Sequence, residues 1–188
     1  MPTLTVIAGP NGSGKSTLTA SIRFEGIENL IDPDAIARGL DPADPSRAAL
    51  QAGRVAIQRA RSFLANRQDF AIETTLAGNG QLATMREAKS LGYWIFFVFV
   101  ALGDPQRNVG RVGLRVAKGG HDVPEVDVLR RYSRSLENAP AALRLADEAM
   151  VVDNSGVEPA RVLLVRGGEI EWRAEDLPDW VRGLVEKL

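Results

Sequence analysis

Residues 3–17 read Thr3-Leu4-Thr5-Val6-Ile7-Ala8-Gly9-Pro10-Asn11-Gly12-Ser13-Gly14-Lys15-Ser16-Thr17. The first six form a short apolar strand, Gly9 to Gly14 a glycine-rich turn, and Lys15 to about Arg23 a helix. From Gly9 onward the run fits G-x-x-x-x-G-K-[ST] at every fixed position, in the strand–turn–helix context that gives the pattern meaning. Glycines let backbone N–H groups converge on phosphate oxygens without Cβ clashes. The helix N-terminus adds a favourable dipole. Gly9, Pro10, Asn11, Gly12, Ser13, Gly14, Lys15, Ser16 and Thr17 are therefore the candidate nucleotide-binding set. Lys15 is placed to meet the β and γ phosphates and Ser16 to ligate Mg²⁺. The motif predicts a nucleoside triphosphate ligand and leaves its fate open. A transporter-type ATPase would need a Leu-Ser-Gly-Gly-Gln segment and a GTPase an Asn-Lys-x-Asp base reader, and neither occurs.

Outward from this loop, strands and helices alternate. A short strand at Asn29 to Ile31 is followed by a helix starting at Pro33 with Asp32 as its cap. Ser46 is placed to cap a long helix ending near Arg67, in which Leu50, Ile57 and Leu64 recur at seven with Gly53 and Ala60 between. Phe70 to Thr75 is a strand, and Gln81 to Leu91 a helix ended by Gly92. Tyr93 to Leu102 is an all-apolar strand expected to be buried on both faces. Pro105 to Lys118 and Pro124 to about Ala146 are helices joined by Gly119-Gly120-His121-Asp122-Val123. Ala149 to Val152 is a strand. Arg161 to Val165 and Glu169 to Arg173 form a hairpin across Gly167-Gly168, and Leu177 to Leu188 a closing helix. The alternation predicts an α/β fold, a parallel sheet with helices on both faces, in one domain over 1–188. Trp172 and Trp180 are expected in the core.

The 188 residues carry a formal net charge of −1, with 45% apolar and 25% charged residues. That balance argues against bulk nucleic-acid binding. No cysteine and a single histidine, His121, exclude disulfides, thiolate zinc sites and multi-His metal centres. The ten-residue apolar run from Tyr93 is too short to span a bilayer. Met1-Pro2-Thr3 opens no signal peptide, so a cytoplasmic location is expected. Residues 104–134 hold 7 basic against 4 acidic residues, the one local positive excess.

The acids lie where a parallel sheet binds ligands, beyond the carboxyl ends of strands. Asp34, after the second strand, is the candidate base that accepts a hydroxyl proton. Asp32 reads chiefly as a helix cap. Glu73 ends the third strand, a position suited to either metal or substrate, and Thr74 and Thr75 add hydroxyls for substrate. In the basic middle, Arg107, Arg111 and Arg115 recur at four along one helical stripe. Arg130 and Arg134 share a face on the next helix, with Arg131 beside them. Two arginine-bearing helices joined by a glycine hinge form a candidate lid over about 104–135, able to bring guanidinium groups to a transferring phosphoryl. His121 lies in the hinge, as a phosphate donor or a turn cap.

Together these segments resemble the zeta toxin family of P-loop kinases, in its compact bacterial branch. The resemblance runs from about Leu4 to Gly156. It rests on the Gly9–Thr17 loop, Asp32-Pro33-Asp34-Ala35-Ile36-Ala37, Glu73-Thr74-Thr75-Leu76, and Gly119-Gly120-His121-Asp122-Val123-Pro124 with Arg130-Arg131-Tyr132. It implies a P-loop NTPase three-layer sandwich with a mostly parallel five-stranded sheet, using ATP or GTP with Mg²⁺. It also implies UDP-N-acetylglucosamine as acceptor, phosphorylated on its 3′-hydroxyl, and an antitoxin protein as partner. By resemblance Asp34 is the catalytic base, and Glu73 with Thr75 holds the sugar nucleotide. Lys15 and the lid arginines Arg111, Arg115 and Arg131 are the phosphate-binding set. His121 stands roughly where zeta toxins carry an arginine.

The resulting expectation is a kinase acting on a small-molecule hydroxyl. A kinase for another small acceptor or a nucleic-acid end is the first alternative, and a nucleotide-dependent switch without acceptor is the second.

Overall fold

The computed structural model describes residues 1–21, 25–120 and 122–188. Strands β1 (Thr3–Ala8), β2 (Leu30–Ile31), β3 (Phe70–Thr74), β4 (Trp94–Ala101) and β5 (Glu148–Asp153) run parallel. Strands β6 (Ala160–Arg166) and β7 (Glu169–Arg173) continue the same sheet antiparallel, in the order β2-β3-β1-β4-β5-β6-β7. The expected five-stranded parallel core is present, and the hairpin extends its edge to seven strands. Gly167 and Gly168 both adopt positive φ, 58° and 84°, as a two-residue hairpin turn of matching twist requires.

The helices are α1 (Lys15–Ser21), α2 (Pro33–Leu40), α3 (Pro45–Ala65), α4 (Gly80–Ser90), α5 (Pro105–Ala117), α6 (Glu125–Leu145) and α7 (Asp179–Val185). One sheet face, with Leu4, Val6, Phe97 and Phe99, packs against α3, α4, α6 and α7 in one continuous core. The opposite face, with Val98, Val100 and Val152, packs against Leu18 of α1. Consecutive residues of β4 thus serve opposite cores, which accounts for its unbroken apolar run. Between α5 and α6 lies a separate small core of Val112, Val123 and Val128.

Three local expectations are corrected. Asp44, not Ser46, caps α3: its side chain accepts the Ser46 N–H, and Pro45 takes the first helical position. A proline there needs no N–H and arrives with a helical φ, so the helix starts two residues early. The same helix stops at Ala65 because Arg67 turns left-handed, φ 50°. Within α3 the interior positions are Ala48, Ala52, Ala60 and Leu64, whereas Leu50 and Ile57 stay 71% and 55% exposed. Trp172 is also displaced from the expected core. It lies 40% exposed on β7, with the Arg161 guanidinium 5.0 Å above its ring. Trp180 does pack inward, against Phe99, and donates to Asp153. Among the described residues no helix is long and apolar enough to cross a membrane.

Candidate active site

Local backbone geometry shapes the loop between β1 and α1. Gly9 has φ 148°, and a Cβ there would sit 1.9 Å from the Val100 carbonyl oxygen of β4. Gly12 has φ 74°, and a Cβ there would meet the Asn108 carbonyl oxygen of α5 at 2.6 Å. Only glycine meets both demands, so the motif spacing reports a tightly enclosed loop. Lys15 is buried, and its Nζ donates to the Pro10 carbonyl at 3.1 Å, holding the ammonium over the loop.

The parallel pairing of β1 with β3 sets Ile7 beside Glu73 and brings the acid to the loop. Ser16 Oγ donates to Glu73 Oε1 at 2.7 Å, and Thr19 Oγ1 to Oε2 at 3.3 Å. Burial raises the pKa of Glu73, while the charge of Lys15 and the Ser16 hydrogen bond act the other way. Burial lowers the pKa of Lys15, opposed first by Glu73 and then by Asp34. Burial therefore works against both charges, and the attraction between them works for both. A hydroxyl and a carboxylate in contact are hard oxygen donors that fit Mg²⁺, which takes few protein ligands beside substrate phosphate.

If Glu73 holds the metal, Mg²⁺-dependent nucleotide affinity is expected to weaken as acid protonates it. Because its pKa is raised, the loss sets in above the ordinary value of 4.5. Fluorescent-nucleotide titrations at stepped pH, with and without Mg²⁺, read this directly. The profile flattens in Glu73→Gln; an unchanged profile would assign the acid elsewhere. The native state binds the proton more tightly than the unfolded chain does. The same group therefore contributes stability in full below 4.5, and loses it as pH rises through its folded pKa.

Asp32 caps α2 by accepting the Asp34 N–H at 2.9 Å and lies 3.6 Å from Arg38. Its carboxylate is thereby committed to the helix start. Asp34, one residue into α2, is exposed and lines a cleft of about 860 Å³ with Lys15, Ser16, Glu73, Arg111 and Arg115. Arg111 donates to the Asn154 carbonyl at 2.9 Å. Arg131 reaches from α6 to Asn11 Oδ1 at 3.3 Å. The other basic residues of the stripe diverge: Arg107 and Arg134 are exposed, and Arg130 pairs with Asp127. His121 lies outside the described residues.

Three asparagines complete the site without having stood out in the sequence. The buried Asn108 donates to the Asn11 carbonyl at 2.6 Å and ties α5 to the loop. Asn154 donates to the Ser13 carbonyl at 2.8 Å from the carboxyl end of β5, a position where strand topology alone could have drawn notice. Asn138 donates to the Leu76 carbonyl at 2.8 Å. It steadies the turn after Glu73-Thr74-Thr75, where Leu76 is buried with a left-handed φ of 56°. Thr74 supports the same turn, its hydroxyl accepting the Leu76 N–H at 3.0 Å. Both Thr74 and Thr75 line a second pocket, of about 450 Å³, which shares Glu73 with the cleft.

No established protein-family profile matches the chain. An uncharacterized protein of Haemophilus influenzae is 36% identical over 124 residues, 66% of this chain and 88% of its own length. Among solved structures, the AvrRxo1-ORF1:-ORF2 complex with ATP superposes with a TM-score of 0.72 at 14% identity. That match covers 99% of this chain and 63% of the other, so the chain spans less than two thirds of that protein. The PezAT chromosomal toxin–antitoxin system of Streptococcus pneumoniae gives a TM-score of 0.61 at 15% identity, covering 100% of this chain and 85% of that one. At such identities the likeness is one of fold.

Proposed function

The chain belongs to one family with the Haemophilus influenzae protein, and from its phosphate loop and cleft we propose that it is a P-loop kinase. It transfers the γ-phosphoryl of ATP or GTP to a hydroxyl of a small molecule, with residues 1–188 acting as one domain and 104–135 as its lid. The observation that carries the reading is the Ser16–Glu73 hydrogen bond. It joins the phosphate loop to an acid that also lines the second pocket, with Asp34 on the wall of the shared cleft. A nucleotide site and an acceptor site so joined suit transfer between two ligands better than hydrolysis.

In this reading the loop amides and Lys15 hold the phosphates. Asp34 takes the proton of the attacking hydroxyl and orients its oxygen. Arg111 and Arg115 stabilise the charge that develops on the transferring group. Ser16 and Glu73 would hold Mg²⁺, which when bound neutralises phosphate charge. The ATP complex among the fold neighbours supports the nucleotide assignment. The toxin–antitoxin neighbour supports an antitoxin protein as partner. We place the enzyme in the cytoplasm, where nucleotide and acceptor are at hand. UDP-N-acetylglucosamine, the acceptor implied by the zeta toxin resemblance, is the first compound to test.

The test is ADP formation and phosphorylated product, read by mass spectrometry, with an acceptor panel containing that sugar nucleotide. Lys15→Ala is expected to reduce turnover by about 10²–10³-fold, the scale for losing one charge-stabilising donor. Nucleotide binding dependent on Lys15 with no product from any acceptor would favour the switch reading instead.

A further inference from the structure

Helix α3 carries a pattern that its own core does not use. Its 21 residues hold four arginines, Arg47, Arg54, Arg59 and Arg61, and no acid. Arg47, Leu50, Arg54, Ile57 and Arg61 follow one another at three, four, three and four, so they fall along one narrow face. All five are exposed, Leu50 at 71% and Ile57 at 55%. The buried side of α3 runs instead through Ala48, Ala52, Ala60 and Leu64. A three–four alternation is the spacing of a seam between two helices, and on this face α3 is bare.

Gly53 gives the face its shape. Leu50, Gly53, Arg54 and Ile57 stand at i, i+3, i+4 and i+7, the four corners that enclose a hole for one side chain of a facing helix. A Cβ at Gly53 would meet nothing within 4 Å, so the hole is open at that corner. Glycine weakens a helix interior, yet α3 keeps one where alanine would fit.

Charge selects the occupant. Arg47 lies beside the Asp44 cap, and Arg61 shares the lining of the second pocket with Glu73 and Glu87. Neither Arg54 nor Arg61 joins an ion pair among the described residues. Arg47, Arg54 and Arg61 repeat at about 10.5 Å, the rise of seven helical residues, which acids repeating at seven on a facing helix would match. The α3 of a second copy would set arginines against arginines with no acid of either helix between them. A nucleic-acid backbone would suit the arginines but leave Leu50 and Ile57 against phosphate.

The geometry points to a docking seam for an acidic amphipathic helix of another protein. That helix sets one apolar side chain over Gly53, packs its other apolar residues on Leu50 and Ile57, and turns acids to Arg47, Arg54 and Arg61. Ile57 and Arg61 also line the second pocket, so the bound helix lies at the rim of that pocket. The seam holds whether or not the chain is a kinase, since none of its residues belongs to the phosphate loop or the cleft.

The probe is a fluorescein-labelled synthetic peptide of three heptads, with leucine at a and d and glutamate at e and g, titrated with the full chain by fluorescence anisotropy. Its own acids repel and keep it from pairing with itself. It is expected to bind at least about tenfold more tightly than the same peptide with lysine at e and g. Leu50→Glu and Arg54→Glu each weaken it by about tenfold or more, the scale for losing one well-packed interface side chain. Gly53→Leu fills the hole and does the same without changing a charge. Arg59→Glu, on α3 but off the face, stays within about twofold. The circular-dichroism melts match the wild type, because Leu50 and Arg54 are exposed and Gly53 gives way to a better helix former. No binding, equal binding of the two peptides, or unchanged affinity in Leu50→Glu or Gly53→Leu would overturn the seam. Affinity lost in Arg54→Glu alone would leave a polyanion site in its place and overturn it too. A dimer in sedimentation, or capture on phosphatidylglycerol vesicles, that Leu50→Glu abolishes would give the face to a second copy or a membrane and likewise overturn it.

Discussion

Asp34→Asn is expected to lower phosphoryl transfer by about 10²–10⁴-fold, the range for removing a positioned general base. The exchange preserves size and removes the proton acceptor. Asp34 is the second residue of α2, and its backbone N–H is already taken by the Asp32 cap, so the helix start survives. The loss of a first-turn charge costs the helix about 0.3–1 kcal/mol. Nucleotide affinity stays within about twofold, because in the proposed mechanism the loop amides and Lys15 hold the phosphates. Steady-state kinetics with a matched nucleotide titration separate the two quantities. A variant that turns over at the wild-type rate would remove Asp34 from the chemistry and turn attention to Glu73.

Gly9→Ala is the second large effect, and it acts on the fold. The new methyl would lie 1.9 Å from the Val100 carbonyl oxygen and 2.9 Å from Ser13 Oγ, at φ 148°. Neither the backbone conformation nor the close approach of β4 accommodates it. The β1–β4 pairing that presses Val100 there spans six residues, so relief requires the loop itself to move. A destabilisation of about 3 kcal/mol is expected, or a melting temperature lower by roughly 6–12 °C for a chain of this size. Nucleotide binding falls with it, because a displaced loop no longer aims its amides at one point. A Gly9→Ala protein that melts with the wild type and binds nucleotide normally would mean that the loop has slack that this packing denies.

The two cases differ in how far they could be foreseen. The need for glycine at position 9 was written into a contiguous motif, yet the atom that enforces it belongs to Val100. Asp34 was legible as an acid after a strand in an α/β alternation, and the structure adds that Asp32 beside it is occupied as a cap. The arginines show the opposite. Spacing put Arg107, Arg111 and Arg115 on one stripe, but only Arg111 and Arg115 line the cleft. Arg131 meets the loop through Asn11 while Arg130 turns to Asp127. A four-residue repeat specifies a helix face, and which part of that face meets the loop depends on how α5 and α6 pack. The asparagines were less legible still. Asn108, Asn138 and Asn154 act through side-chain bonds to backbone carbonyls 97, 62 and 141 residues away, and no local pattern marks such a partner.

Local chemistry carried most of what lies within one run of chain, the start of α3 at Pro45 excepted. The strand–turn–helix loop, the parallel alternation, the helix starts at Pro33 and Pro105 and the hairpin across Gly167-Gly168 follow from short-range sterics and the period of burial. Tertiary structure alone decided what meets across the sheet. The register of β1 on β3 places Glu73 against Ser16, 57 residues distant. The path of α3 past the end of β3 brings Ala56, Ile57 and Ala60 to the wall of a pocket that shares Glu73 with the cleft. The reason is physical: periodicity restricts the face that a residue presents, whereas the neighbour it presents that face to is set by strand order and helix packing, which no local run of residues encodes.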